Sequence, residues 1–210
     1  MGPVRGTALL VALTACATAR PASAAPELAA GTFLYADPSL VGSVFEASVV
    51  VLVHVDPGGT TGLIFNKPTR VMPQELLGVD GAERLQRPIY LGGPVGTEGI
   101  SSLVRLDAGS LDGELRVLED VFYVTDPGAL ARSLRQALPD RRVRIFAGYS
   151  GWAPGQLEGE IARGSWVVAA GRVDALFSDE PESLWEEVYR LLNAIEVRAR
   201  VPVPTGPALR

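Results

Sequence analysis

The side chains able to do chemistry are few, and most fall in three glycine-marked stretches. The longest is Gly148-Tyr149-Ser150-Gly151-Trp152-Ala153-Pro154-Gly155-Gln156-Leu157-Glu158, followed by Glu160, Ile161 and Trp166. Ser150, read on a turn between a strand and a helix, stands where a hydrolase nucleophile would stand. That elbow requires glycine two places after the serine, and position 152 is Trp152. A serine nucleophile also needs a base, and the chain has one histidine, His54. It precedes the serine, whereas the α/β-hydrolase order puts histidine last, and it lies within an apolar strand, as a satisfied structural histidine does. No catalytic residue is therefore expected. Gln156 and Glu160 are four apart and share a helix face, while Glu158 points elsewhere, so paired-carboxylate chemistry is not indicated. A first-turn glutamate is favoured by the helix dipole alone. Trp152 and Trp166 read as packing rather than as a ligand platform.

The other two stretches are Gly62-Leu63-Ile64-Phe65-Asn66-Lys67-Pro68 and Gly92-Gly93-Pro94-Val95. Asn66 and Lys67 at one strand end, brought against Gly92 and Gly93 at another, would offer backbone N–H groups and a lysine to an anion. The plainer expectation is that Asn66 caps a turn and the glycines supply positive φ. There is no phosphate loop and no dinucleotide fingerprint. One cysteine and one histidine exclude an intrachain disulfide and a Cys/His zinc site, and no spaced Asp/Glu/Gly loop suits calcium or magnesium. No metal or cofactor is expected. The candidate ligand or partner surface comprises Asn66, Lys67, Gly92, Gly93, Ser150, Trp152, Gln156 and Glu158. A net charge of −5 argues against a phosphate-backbone binder, so no nucleic acid is expected.

The lone cysteine, Cys16, carries a different chemistry. Arg5 is a short positive region, and Thr7 to Ala15 is an apolar run far short of the roughly 20 residues that span a bilayer. The run ends in Leu13-Thr14-Ala15-Cys16, which resembles a bacterial lipobox, where the thiol is acylated and becomes the new N-terminus. Acyl chains there would anchor at about 0.8 kcal/mol per buried CH₂. Residues 1–15 thus read as a signal peptide and 16–30 as lipidated cysteine and flexible tether. Lipid attachment in the bacterial envelope, facing the periplasm, is the expected location. The outer membrane is favoured, because Ala17 rather than aspartate follows Cys16. The alternatives are periplasmic secretion after cleavage at Ala22-Ser23-Ala24, or a cytoplasmic protein if the start is mis-called.

Elements must hold these residues in place. Val49–Val55 and Thr61–Asn66 around Asp56-Pro57-Gly58-Gly59 predict two strands about a tight turn. Pro73–Leu77 predicts a short helix, Pro88–Leu91, Ile100–Leu106, Leu115–Leu118 and Val121–Val124 strands, and Asp126-Pro127 the cap and first turn of a helix to Leu138. Arg142–Ala147 predicts a strand, Pro154–Arg163 a helix, and Ser165–Ala169 a strand. Ser183–Ala194 predicts a closing helix, with a Ser183/Glu186 capping box and an apolar stripe of Leu184, Val188, Leu191 and Leu192. Strands early and mixed elements later favour an α/β (α+β) layered domain over a doubly wound sheet. Residues 198–210, proline-rich, read as a disordered tail.

Together, Phe33-Leu34-Tyr35-Ala36-Asp37-Pro38, the Gly62–Pro68 segment, the Gly92–Val95 turn and the Gly148–Glu158 block resemble the YqgE/AlgH family over about residues 31–197. The resemblance implies a single compact domain with a curved, partly barrel-like sheet flanked by helices. It implies no particular chemistry. The chain departs from the family pattern in three places. It carries an export signal where members are mostly cytosolic, it has Leu103-Val104-Arg105 where many have Leu-His, and it has Ser150 where alanine is common. The functional expectation is a lipid-anchored, non-enzymatic binding or interaction protein with an unidentified protein partner. The alternatives are a cytosolic regulator of transcription, which the family name suggests, and an enzyme using Asn66, Lys67 and the Gly148–Glu158 turn.

Overall fold

The computed structural model describes residues 27–106, 114–135 and 142–200, with side chains to residue 194. The expected signal segment, Cys16, most of the expected tether and the residues beyond 200 lie outside the described residues. Nine strands form one sheet: β1 (Thr32–Ala36), β2 (Val49–Asp56), β3 (Gly59–Ile64), β4 (Tyr90–Leu91), β5 (Val95–Arg105), β6 (Leu115–Leu118), β7 (Val121–Val124), β8 (Val143–Trp152) and β9 (Trp166–Ala170). The order is β6-β7-β5-β8-β3-β2-β1-β9, antiparallel throughout this path, with β4 added in parallel to β8. The sheet curls until β6 approaches β2, and a side chain on Gly31 would strike Val117 and Leu118 of β6. The result is a curled half-barrel in a single compact α+β domain.

Period-two alternation sorts the side chains onto two faces. Phe33, Tyr35, Val49, Val51, Val53, Leu63, Leu103, Val121 and Phe146 fill the interior. The short helix α4 (Val173–Leu176) and the start of α5 (Leu184–Arg200) plug one end through Leu176, Phe177, Leu184, Trp185, Val188 and Tyr189. Trp185 is pinned there by its Nε1–H donating to Ala36 O at 2.7 Å. Outside the barrel, α2 (Pro127–Arg135) covers Val104, Phe122, Val143 and Ile145. On the other flank α3 (Gln156–Ala162) covers Leu34, Val50, Leu52 and Ile64. A four-residue helix, α1 (Pro73–Leu76), lies between β3 and β4. Each fully buried leucine or phenylalanine contributes about 1.5–3 kcal/mol.

The hairpin forms as its turn residues dictate. Asp56 Oδ1 accepts the Gly58 N–H at 2.7 Å, which closes the turn between β2 and β3. Asp126 caps α2 through Ala129 N–H at 2.7 Å. Four expectations change. β8 continues past Gly148 to Trp152, so Ser150 stands on a strand and not on a turn. Ser183 is already helical, in a 3₁₀ turn spanning Pro181–Ser183, and its hydroxyl bonds Glu180 O and Glu187 Oε1 instead of forming a box with Glu186. The stripe of α5 that packs on the core is Leu184, Trp185, Val188 and Tyr189, all partly buried. Leu191 is exposed, because only the first turns of the helix enter the barrel end. α5 also continues to Arg200, past the expected start of the tail. At the other end, the last residues of the expected tether are seated: Leu28 packs on the outer core, and Ala29 O accepts the Thr32 N–H at 3.1 Å.

Candidate functional site

Two irregularities in the ladder build the site. The register of β2 on β3 shifts between Leu52 and His54, leaving Val53 as an extra residue. Val53 and His54 therefore both face the barrel interior, and His54 comes opposite Thr61. In β8, Ala147 packs on the outer core beneath α2, and alternation alone would send Tyr149 outward as well. Gly148, at φ +68°, interrupts the alternation and turns Tyr149 inward. Only glycine fits there, since a Cβ would lie 2.8 Å from both Gly93 O and Val95 O.

His54, Thr61, Tyr149, Tyr123 and Leu115 consequently ring the open mouth of the barrel, at the end opposite α5, around a cavity of about 330 Å³. It adjoins a second cavity of about 510 Å³ along His54, Asp56, Thr60, Val95, Gly151 and Trp152. Across three strands the row His54–Thr61–Gly151 ends in a residue without a side chain, which leaves a notch beside Tyr149. His54 Nε2 meets Asp56 Oδ2 at 2.8 Å, and both side chains are nearly half exposed. The His54 hydrogen bond, and then the Gly58 N–H, hold the Asp56 carboxyl below its usual range. Burial pushes the Tyr123 hydroxyl above the usual phenol range, and the neighbouring Tyr149 and Glu114 add to that rise. His54 is thus satisfied, as expected, but by a partner at the mouth where it is nearly half exposed, and it is not enclosed among the apolar side chains of its strand. The available signal was Gly148, a glycine inside a strand pattern, which marks a bulge.

Of the expected site residues only Trp152 borders these cavities; the others lie elsewhere, most of them bound into the frame. Asn66 is buried: its Oδ1 accepts Val49 N–H at 2.7 Å and its Nδ2 donates to Ala47 O at 2.9 Å. Lys67 Nζ donates to Val44 O at 2.8 Å, and burial lowers its pKa against the pull of Glu46. The Gly92 N–H is taken by Ala147 O, so Asn66, Lys67 and the Gly92-Gly93 turn do not assemble an anion cradle. Instead β3 and β4 lie end to end along β8, and Gly92 O, at the joint, accepts both Ile64 N–H at 2.9 Å and the Ser150 hydroxyl at 3.1 Å. Gly93 lies so close to the Tyr149–Ser150 backbone that a Cβ would sit 2.3 Å from Tyr149 C. Ser150 is fully buried and faces away from the mouth.

Trp152, Gln156 and Glu160 form a second unit. Glu160 Oε2 accepts the indole N–H of Trp152 at 3.0 Å and of Trp166 at 2.9 Å, and Oε1 accepts Gln156 Nε2 at 3.0 Å. Gln156 Oε1 accepts Ala153 N–H at 3.1 Å, and Phe45 packs against both indoles. Burial alone would raise the Glu160 pKa. The donors Trp166, Gln156 and Trp152, with Arg163 nearby, outweigh it and hold the carboxyl low. Glu158 is exposed on the far side of α3, bordering a cavity of about 730 Å³ with Leu28, Val55, Ile161 and Trp166. Among the described residues, no three His, Cys, Asp or Glu side chains group to hold a metal, and no helix is long and apolar enough to cross a membrane.

Comparison with known proteins points one way. A family model described as AlgH-like matches residues 33–195. A UPF0301 protein of Methylococcus capsulatus is 37% identical over 166 residues, covering 76% of this chain and 89% of its own length. One of Parabacteroides distasonis is 34% identical over 164 residues, covering 78% and 82%. Among solved structures, the solution structure of the AlgH protein from Pseudomonas aeruginosa is similar at TM-score 0.62 and 25% identity, covering 90% of this chain and 99% of that one. A crystal structure of a Corynebacterium diphtheriae protein is similar at TM-score 0.64 and 25% identity, covering 85% and 90%.

Proposed function

The chain belongs to the AlgH-like family, and on that premise we propose that it is a lipid-anchored, non-enzymatic binding protein of the bacterial envelope that presents the barrel mouth to a protein partner. The observation that carries the reading is the division of labour among its polar side chains. Asn66, Ser150, Trp152, Gln156 and Glu160 are all spent on bonds that hold the frame, whereas Tyr149 and the bonded pair His54 and Asp56 are exposed on strands at an open rim. A rigid rim with half-exposed aromatic and hydroxyl groups suits recognition of a projecting group.

Anchoring at Cys16 fits this arrangement. The chain enters the domain at Leu28, which borders the same cavity as Val55, beside the end of β2 that carries His54 and Asp56. Even fully extended, the residues between Cys16 and Glu27 span roughly 40 Å, so an acylated Cys16 would keep the mouth near the membrane surface. Membrane fractionation with intact mass of the mature protein, wild type beside Cys16→Ser, tests the anchor. The expected result is an acylated N-terminal Cys16 in membranes and a soluble variant. Both proteins in the cytosol with Met1 retained would sink the envelope reading and return the transcription regulator.

A further inference from the structure

The mouth has a chemical bias that specifies what projects into it. Its lining holds one carboxylate, Asp56, and two phenol rings, Tyr149 and Tyr123, with Glu114 close enough to Tyr123 to act on its hydroxyl. Among the described residues no lysine or arginine lines either cavity. An anion would find no lysine or arginine here, and the one basic ring, His54, is already bonded to Asp56. An organic cation would find a carboxylate already ionised at neutral pH and ring faces carrying negative quadrupole. The Gly151 notch gives such a group access beside the Tyr149 ring, and the apolar rims Val95 and Leu115 can cover the alkyl stem that carries it. Both oxygens of Asp56 are held, by His54 Nε2 and by Gly58 N–H, so the carboxylate is positioned before any ligand arrives.

We propose that the barrel mouth is a binding site for an organic ammonium or guanidinium group, with Asp56 as counter-ion and Tyr149 and Tyr123 as its aromatic walls. The proposal rests on the binding reading above and assigns its chemistry. The basic group can come from an arginine or lysine side chain of a protein partner or from a free amine, and the two sources differ in what else they bring to the rim.

His54 supplies the reporter, because a single histidine gives one set of ring resonances. The full-length chain is titrated with acetyl-Gly-Arg-Gly-amide and with its citrulline counterpart, which is neutral and nearly isosteric, and separately with methylguanidinium and methylurea at matched ionic strength. Saturable movement of the His54 ring signals by the two cations, with the neutral counterparts at least tenfold weaker, is the expected result. Asp56→Asn and Tyr149→Leu should each weaken the cation response at least fivefold, and the wild-type cation/neutral contrast stands without them if either variant misfolds. A peptide at least tenfold tighter than methylguanidinium identifies a side chain as the natural group, and equal affinity identifies a free amine. Equal response to charged and neutral probes, or none to either cation, overturns the proposal. That outcome leaves the anchor untouched, since fractionation reads Cys16 and this titration reads His54.

Discussion

Replacing Glu160 should loosen the flank of the barrel that carries the Gly148–Glu160 block, by an amount its bonds allow to be worked out. Glu160 Oε2 alone satisfies two indole N–H groups, on Trp152 and Trp166, each 4% exposed. A buried donor left unpaired costs about 1–3 kcal/mol. Gln156 is exposed and turns to water at little cost. Glu160 is itself only partly buried, so water can reach the gap in Glu160→Ala, and the expected loss is about 2–4 kcal/mol. At about 2–4 °C per kcal/mol for a domain of this size, Tm falls by roughly 10 °C. Glu160→Gln keeps one oxygen for the indoles but sets an NH₂ group against the Gln156 amide, and should lose about 1–2 kcal/mol. The sign with pH follows from the depressed folded pKa. The ionised Glu160 contributes fully above the ordinary value of 4.5 and loses its contribution as pH falls through the lower folded value. The gap between wild type and Glu160→Gln should thus be flat from neutral pH down to about 5 and narrow below it. Urea denaturation followed by far-UV circular dichroism at several pH values measures it. A Glu160→Ala variant within 0.5 kcal/mol of wild type, or a gap that widens in acid, refutes the reasoning.

Two further substitutions probe the frame of the mouth. Gly148→Ala should lose about 2–4 kcal/mol, from a left-handed backbone that costs an L-residue about 1–2 kcal/mol and from a Cβ set against two backbone carbonyls; a denaturation midpoint equal to wild type would show that β8 does not need the bulge. Asn66→Ala strands Val49 N–H and Ala47 O in a buried site and should cost about 2–3 kcal/mol, with lost amide-exchange protection at Val49 as its local signature.

Much of the frame was legible along the chain. Asp56-Pro57-Gly58-Gly59 writes a tight hairpin because its aspartate bonds its own turn, and Asp126-Pro127 starts α2 through the same local economy of donors and acceptors. The spacing of Gln156 and Glu160 placed them on one helix face, where they do bond. Family membership was legible too, because the Gly-Gly-Pro and Gly-Tyr-Ser-Gly-Trp segments are conspicuous strings. Why those strings exist was not. Gly92 and Gly93 lie far along the chain from Gly148, and each of the three is small because backbone of the other segment lies against it.

The mouth is where reading along the chain fails. Alternation is a period-two rule, and inserting one residue inverts every face beyond it. Whether an extra residue is accommodated at Val53 or Gly148 depends on how the neighbouring strands pair, which no local window contains. Residue types and spacings thus determined which segments extend, turn and cap. Only the curled sheet, by bulging β2 and β8 to keep register with their neighbours, decided that His54, Asp56 and Tyr149 share one rim.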